Sequence, residues 1–471
     1  MNGLSKEVTF QPNSVLNHQT KTNGINFALI ILFVFSIFFQ QNFKIFGLIQ
    51  LSSVVSMLMM SYFVLESLTR GRFIIVKYKI QKPLLLLILW SLFSLIISYF
   101  QEFPRDIYNY NWTIGLNDPK WRGLSFFIRL FLSIFTIQFI ISNVKTEKTY
   151  LRVIKYYILG YSILCIYVFV QIVLYGFFDI TIGNIIPNQE GYFRVGGYIG
   201  EPGTLASILV SGYFLVFACA VKYYRRIRIY KIILSTIFLI ATVDILFTFS
   251  AGWIPAVIIA GFILGRKYLS RKVLTYGFIL IVLGLLFIPF FAQDVINRVF
   301  RESLSIGVRT TSWIAGFHVI LNNPIAGVGI GNSSFYTPFY LTELFVNSKY
   351  NISVKLYEHL QMTFQGVRFP PSNTYIQWAA ETGIIGLLIL AYLFYSVVVS
   401  TKNMPNCDHK FLVKFGFGGA LLAFVIGIIA VPDQLYLGGI NFVLAMYIAG
   451  IKIFVNNYKF FAIANNNINT G

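Results

Sequence analysis

The sequence predicts an all-α polytopic membrane protein, and three observations carry that expectation. Apolar runs of about 20 residues recur along the chain, the length a helix needs to cross a bilayer core. Over 471 residues, 57% are hydrophobic and only 11% charged, too little polarity to cover a soluble fold. Basic residues gather in alternate loops between the runs, the positive-inside pattern of membrane proteins.

Taken in order, the apolar runs are Ile25–Phe39, Ile45–Leu65, Pro83–Phe100, Gly123–Ile141, Tyr156–Phe178, Gly203–Val221, Ile232–Phe249, Trp253–Gly265, Val273–Ala292, Asn373–Ser400, Phe411–Val431 and Ile440–Val455. These make about 12 transmembrane helices; the first, eighth and twelfth runs are short, so 11 is the alternative. The chain accordingly divides into a polar tail (1–24), nine spans (25–292), one large loop (293–371), three spans (372–455) and a second polar tail (456–471).

The basic loops set the expected orientation. They are Arg70–Lys82, Lys145–Lys155, Lys222–Lys231, Arg266–Lys272 and Lys402–Lys414, and the rule places them and both termini in the cytoplasm. The net charge of +20 is thereby a topology signal, and no basic-aromatic module points to nucleic acid. Residues 1–24 are too long and too poor in basic residues for the n-region of a signal peptide, so the first span is expected to remain as an anchor. Cys165 and Cys219 lie within spans and Cys407 in a basic loop, which offers neither a disulfide framework nor a metal cluster. Reporter fusions after Lys231 and after Tyr350 test the orientation: the first should give cytoplasmic activity and the second extracytoplasmic activity. Cytoplasmic signal at Tyr350 would overturn the assignment of 293–371 to the outer face.

Three outer segments then carry most of the polarity. Gln101–Arg122 holds Tyr108, Tyr110, Trp112 and Trp121, which suit sugar stacking or interfacial anchoring. Asp179–Pro202 holds Arg194 and Glu201 within GYFRVGGYIGEPG. The long loop holds Arg298, Arg301, Arg309, His318, His359 and Arg368, and its Ser312–Leu321 and Leu341–Phe345 portions have helical apolar spacing. Outer-face arginines run against the topological bias. Headgroup contact or pairing with Glu302 and Glu343 is the bland reading; the sharper one is a diphosphate clamp, since a guanidinium presents a fixed fork of donors that matches phosphate oxygens. Glycines around Arg194 either build a turn or let the backbone approach an anion. Gly327–Gly331, GVGIG, is no P-loop, because no Gly-Lys-Ser/Thr follows. In AETGIIG the glycines at 383 and 386 suit close helix packing, while Glu381, near the outer end of the tenth span, needs a partner or a role. The same rule applies to Asp244 and Arg129 inside spans, where mutual pairing is one solution. A lone histidine such as His318 is more often structural than catalytic.

The order RTTSWIAGFHVILNNPIAGVGIGN (309–332), then SNTYIQWAAETGIIG (372–386), resembles the O-antigen ligase and polymerase superfamily. The resemblance implies a GT-C-like membrane glycosyltransferase that works on polyprenyl diphosphate-linked glycan at the outer face of a bacterial cytoplasmic (inner) membrane, without metal, nucleotide or other cofactor. It assigns diphosphate binding to Arg194 and Arg309, with Arg368 as a weaker third, and matches Asn373, Tyr375, Glu381, Gly383 and Gly386 to the element opening the following span. Glu201, Glu381 and His359 are the candidates for accepting the acceptor's proton. The implied partners are the lipid-linked glycan, the bilayer, a chain-length regulator and a flippase. Two positions depart from the family pattern: the ligase histidine before the matched asparagine is Ser372, and the Ser-Arg turn reads Ser250–Ala251–Gly252. The expected activity is that of an O-antigen or exopolysaccharide polymerase; the alternatives are an O-antigen ligase or related oligosaccharyltransferase and, from another class, a transporter or flippase. Most polarity sits in one asymmetric loop and no half is repeated, which counts against the transporter.

Overall fold

The computed structural model describes residues 24–39, 51–69, 80–101, 119–187, 193–197, 201–223, 227–250, 252–268, 303–346, 370–400, 410–431, 435 and 438–469. Helices occupy eleven of the expected spans: α1 (Gly24–Phe38), α2 (Leu51–Thr69), α3 (Gln81–Phe100), α4 (Pro119–Asn143), α5 (Glu147–Phe178), α6 (Pro202–Ala218), α7 (Arg228–Phe247), α8 (Trp253–Tyr268), α11 (Thr374–Ser400), α12 (Gly418–Gly427) and α13 (Gly438–Asn469). The ninth expected span, Val273–Ala292, lies outside the described residues. Between α8 and α11 stand α9 (Ser303–Asn322) and α10 (Ser333–Val346), which include both portions of the long loop with helical spacing. A hairpin of β1 (Asn184–Pro187) and β2 (Phe193–Gly197) is the one departure from an all-helical pattern among the described residues.

Seven of these helices are long and apolar enough to cross a membrane. The pattern of exposure fits that reading, because the exposed faces are themselves apolar: Leu85, Leu89 and Ile96 on α3, Leu159, Ile163 and Ile166 on α5, Leu239 and Leu246 on α7. The interior carries the polar ties. Helix α6 is apolar around its circumference and buried from Pro202 to Val216 except at Tyr213, as a helix surrounded by protein must be. Its small residues admit close neighbours: Tyr161 of α5 packs on Gly212 and donates to the carbonyl of Leu209 (2.8 Å). One turn away, Tyr157 shares a 2.6 Å hydrogen bond with Ser211 and stacks on Phe442 of α13 at 4.4 Å.

Helices α1 to α8 alternate in direction, as do α11 to α13, so their ends sort into two sets. At one end the start of α1 meets the ends of α2 and α4, where Asn26 donates to Asn143 (2.8 Å) and Glu66 (3.5 Å). The basic loop Lys145–Lys155 begins there. The opposite end gathers the close of α3, α5, α7 and α12 and the start of α4, α6, α8 and α11. The hairpin caps part of that end, anchored by Gln171 Nε2 to the carbonyls of Ile182 and Asn184 (2.6 and 3.0 Å) and packed on α5, α6 and α7.

Candidate functional site at the polar end of the bundle

The glycine turn (327–331) and AETGIIG (380–386) are joined through their backbones. Helix α11 is broken at Gly383 (φ 70°, ψ −177°), which frees carbonyls that would otherwise bond within the helix. The turn after α9 takes them up: Val328 N–H donates to Ala380 O (2.9 Å) and Gly329 N–H to Glu381 O (3.0 Å), while Ile384 N–H returns a bond to Pro324 O (2.8 Å). Helix α3 supplies two more donors, Ser94 Oγ to Glu381 O and Trp90 Nε1 to Thr382 O, both at 2.7 Å. This is how a membrane protein accommodates a helix break, by satisfying each freed group with protein donors. Gly327 (φ 69°) faces the backbone of Ala380 and Glu381, and Gly383 that of Ile325, so closely that a β-carbon on either would overlap a main-chain carbonyl. The glycines of AETGIIG therefore do more than permit helix packing; Gly383 makes the break.

The break also divides α11 by environment. From Thr374 to Gly383 only Tyr375 is not fully buried, whereas Ile384, Leu388, Tyr392 and Tyr395 beyond it are exposed on an apolar face. The upper part is held by protein and the lower part faces outward as a span does.

At the start of α11, Asn373 caps the helix, its Oδ1 accepting from the backbone of Tyr375 (2.9 Å) and Ile376 (3.2 Å). An asparagine cap of this kind satisfies first-turn donors that no helical carbonyl can reach. Two predicted residues, Arg309 and Glu201, are linked to this cap through neighbours, and a third, Arg194, is bonded to the end of α7. Ser372 N–H donates to Ser312 Oγ (3.2 Å), and Ser312 Oγ donates to the carbonyl of Arg309 (2.7 Å), so Arg309 on α9 is tied one turn from the cap. On the other side, the Thr374 hydroxyl donates to Val431 O, and Val431 packs near Gly203 in the first turn of α6. Glu201 is the cap residue of that helix; its exposed carboxylate accepts from the Thr204 hydroxyl. Arg194 stands on β2, which packs on α6, and its Nε donates to Thr248 O (3.0 Å) at the end of α7. Its anchor is thus next to the turn that begins at Ser250, where a family arginine is replaced by Ala251. The starts of α6 and α11 bring the partial positive charge of their first-turn amides to this end of the bundle.

The other candidates fall elsewhere. Glu381 lies about 12 Å along α11 from the cap by helical rise; it is 1% exposed, and its Oε1 accepts from Ser333 Oγ (2.8 Å) and Gln377 Nε2 (3.0 Å). His318 stacks on Tyr340 of α10 (6.1 Å). Arg129 and Asp244 are not partners: Asp244 is fully buried on α7, while Arg129 lies over Phe126 on α4. His359 and Arg368 lie outside the described residues. One residue escaped the sequence reading. Arg122, at the start of α4, donates from Nε to Gly331 O (2.8 Å) and covers the rings of Phe126 (5.0 Å) and Phe335 (5.7 Å), which fixes the far side of the glycine turn. Its spacing to Phe126 and Arg129, four and then three residues, was the available signal.

The fold is that of an all-α polytopic membrane protein, with Arg194, Glu201 and Arg309 all toward one end of its bundle. Residues 236–391, about a third of the chain, match the family model described as O-Antigen ligase, a similarity that runs from α7 through the glycine turn to α11 and supports the resemblance to the O-antigen ligase/polymerase superfamily. No curated protein matches the chain.

Proposed function

We propose that the chain is an O-antigen or exopolysaccharide polymerase. It transfers a growing glycan from polyprenyl diphosphate to a hydroxyl of a second lipid-linked repeat unit at the outer face of a bacterial inner membrane. The acceptor oxygen attacks the anomeric carbon, the bond from that carbon to the diphosphate oxygen breaks, and the diphosphate leaves with the electron pair. Arg194 and Arg309 neutralise that developing charge, with Arg368 assigned a supporting part from the sequence; preorganised cations at a leaving group act on the transition state more than on the ground state. A guanidinium has five donors, so one anchoring bond such as Arg194 to Thr248 is compatible with phosphate recognition. The acceptor's proton goes to Glu201. Its carboxylate is exposed at the site end, whereas Glu381 is enclosed and spends an oxygen on Ser333 and Gln377. We assign Glu381 to holding the turn against α11. His359 is the alternative base.

The observation that carries polymerase over ligase is Ser372. It is buried beside the Asn373 cap, where the ligase pattern has a histidine, and a serine hydroxyl has no useful basicity near neutral pH. In a host that makes lipopolysaccharide, deletion should leave single repeat units on the core. Bare core, with polymer stranded on the polyprenyl carrier, would instead identify a ligase. In a host that makes capsule or free polysaccharide, long polymer should vanish while single lipid-linked repeats persist. Unchanged glycan in either host would favour a transporter.

A further inference from the structure

A second polar site lies away from the cap of α11. Between α1, α2, α4 and α13 a narrow cleft, open at one side, is lined by Arg129, Ser52, Ser53, Ser133 and Asn441, with Phe33 and Leu132 as apolar wall. Ser56 and Thr136 also border it, but they are occupied with each other (2.9 Å) and with the carbonyls of Ser52 and Leu132 (both 2.8 Å). The side chains of Ser52, Ser53, Ser133 and Asn441 make no hydrogen bond to any described residue, and neither does the Arg129 guanidinium. Its contact is the ring of Phe126 at 5.5 Å, the ring whose neighbour on the same helix face is Arg122 at 5.0 Å. Among the described residues no carboxylate lines the space. Five donor-bearing side chains, one permanently charged, thus meet beside the starts of α2 and α13 without an acceptor among the described residues. Polar groups placed so are costly unless a ligand meets them. The first turns of α2 and α13 border the same space and add their positive ends.

We infer that this cleft binds the phosphate group of an amphiphile, with Arg129 as the charged donor and Ser52, Ser53, Ser133 and Asn441 completing the shell. A planar fork suits a tetrahedral oxyanion, and the apolar wall suits the chain that carries it. Two sources supply that chemistry: a phospholipid of the surrounding bilayer, and the polyprenyl diphosphate of a lipid-linked glycan. The inference does not depend on the polymerase reading, since it concerns binding alone.

The test is native mass spectrometry of the full chain in detergent, titrated with dioleoyl phosphatidylglycerol, geranylgeranyl diphosphate and, as the phosphate-free probe, dioleoylglycerol. The diphosphate titration is made in an Arg194→Gln background, so that binding there does not mask the cleft. Both phosphate amphiphiles should bind and dioleoylglycerol should not. Arg129→Gln should weaken phosphate binding roughly 10- to 100-fold, the usual effect of one charge-assisted contact. Arg129→Lys should weaken it less, and Arg152→Gln, at the other end of the bundle, should leave it unchanged. Tighter binding of the phospholipid assigns the cleft to the bilayer, and tighter binding of the diphosphate assigns it to a lipid carrier. If Arg129→Gln lowers the melting temperature, Ser133→Val carries the test: loss of affinity supports the site and retention overturns it. Equal binding by wild type and a folded Arg129→Gln, or equal binding of dioleoylglycerol, overturns the inference.

Discussion

Replacing Arg309 or Arg194 with alanine should lower polymer synthesis by about 30- to 1,000-fold, the cost of losing one preorganised donor to a developing anion. Short lipid-linked products should accumulate at unchanged protein levels. Arg309→Lys should recover part of the rate only, because an ammonium restores the charge without the fork. Glu201→Gln, which keeps the shape and removes the basicity, should cost about 100- to 10,000-fold if this carboxylate takes the acceptor proton. The assay is transfer between purified lipid-linked repeats, read as product length. Full-length polymer from both alanine variants, or complete loss of activity on adding a chelator, would refute a metal-independent arginine clamp. Undiminished rate in Glu201→Gln would move the base to His359.

Alanine at Gly383 or Gly327 should abolish folded protein. Each position has a positive φ and lies against the other segment's main chain, so an added methyl meets backbone that cannot swing aside. The left-handed conformation alone costs an L-residue about 1–2 kcal/mol, and a displaced turn would strand the Glu381 and Thr382 carbonyls that Ser94, Trp90 and Gly329 satisfy, at about 1–3 kcal/mol for each buried group. Together these approach the whole stability of an ordinary domain. Gly261→Ala in α8 is the control: its β-carbon would meet only Phe214 at 3.9 Å, an ordinary contact. Size-exclusion profiles and melting curves of the detergent-purified variants decide the matter. A Gly383→Ala protein that elutes and melts like wild type would show that the break is dispensable.

What the sequence revealed follows from which signals are periodic. Spans are written in composition, and helices stand at the expected places wherever the chain is described. The glycine turn and AETGIIG stood out as motifs, but their pairing did not, because backbone hydrogen bonds leave no trace in side-chain pattern. Gly383 had the sequence signature of a packing glycine; only its φ distinguishes a break. Arg129 and Asp244 were treated as possible partners since each needs an explanation inside a span, yet they belong to different helices facing different neighbours. Arg122 went unnoticed because it was read as the last residue of an outer loop, when it opens α4 and holds the turn. The convergence of Glu201, Arg309 and the α11 cap depends on Val431 and Ser312, two residues of no chemical distinction that sequence reasoning has no cause to name.

The ties from Trp90 to Thr382 and from Ser94 to Glu381 span 292 and 287 residues of chain. A ribosome adding about 5–20 residues per second needs roughly 15–60 s to cover that distance. Throughout this interval α3 can already lie in the bilayer with an indole N–H and a hydroxyl whose eventual acceptors have not been made. The nascent chain must keep them hydrated or lend them a temporary partner. The carbonyls they await belong to the same broken helix whose first residues border the candidate site. Completion of the amino-terminal half and creation of the site therefore fall at the same late moment of synthesis, so that a chain truncated before α11 would lack both.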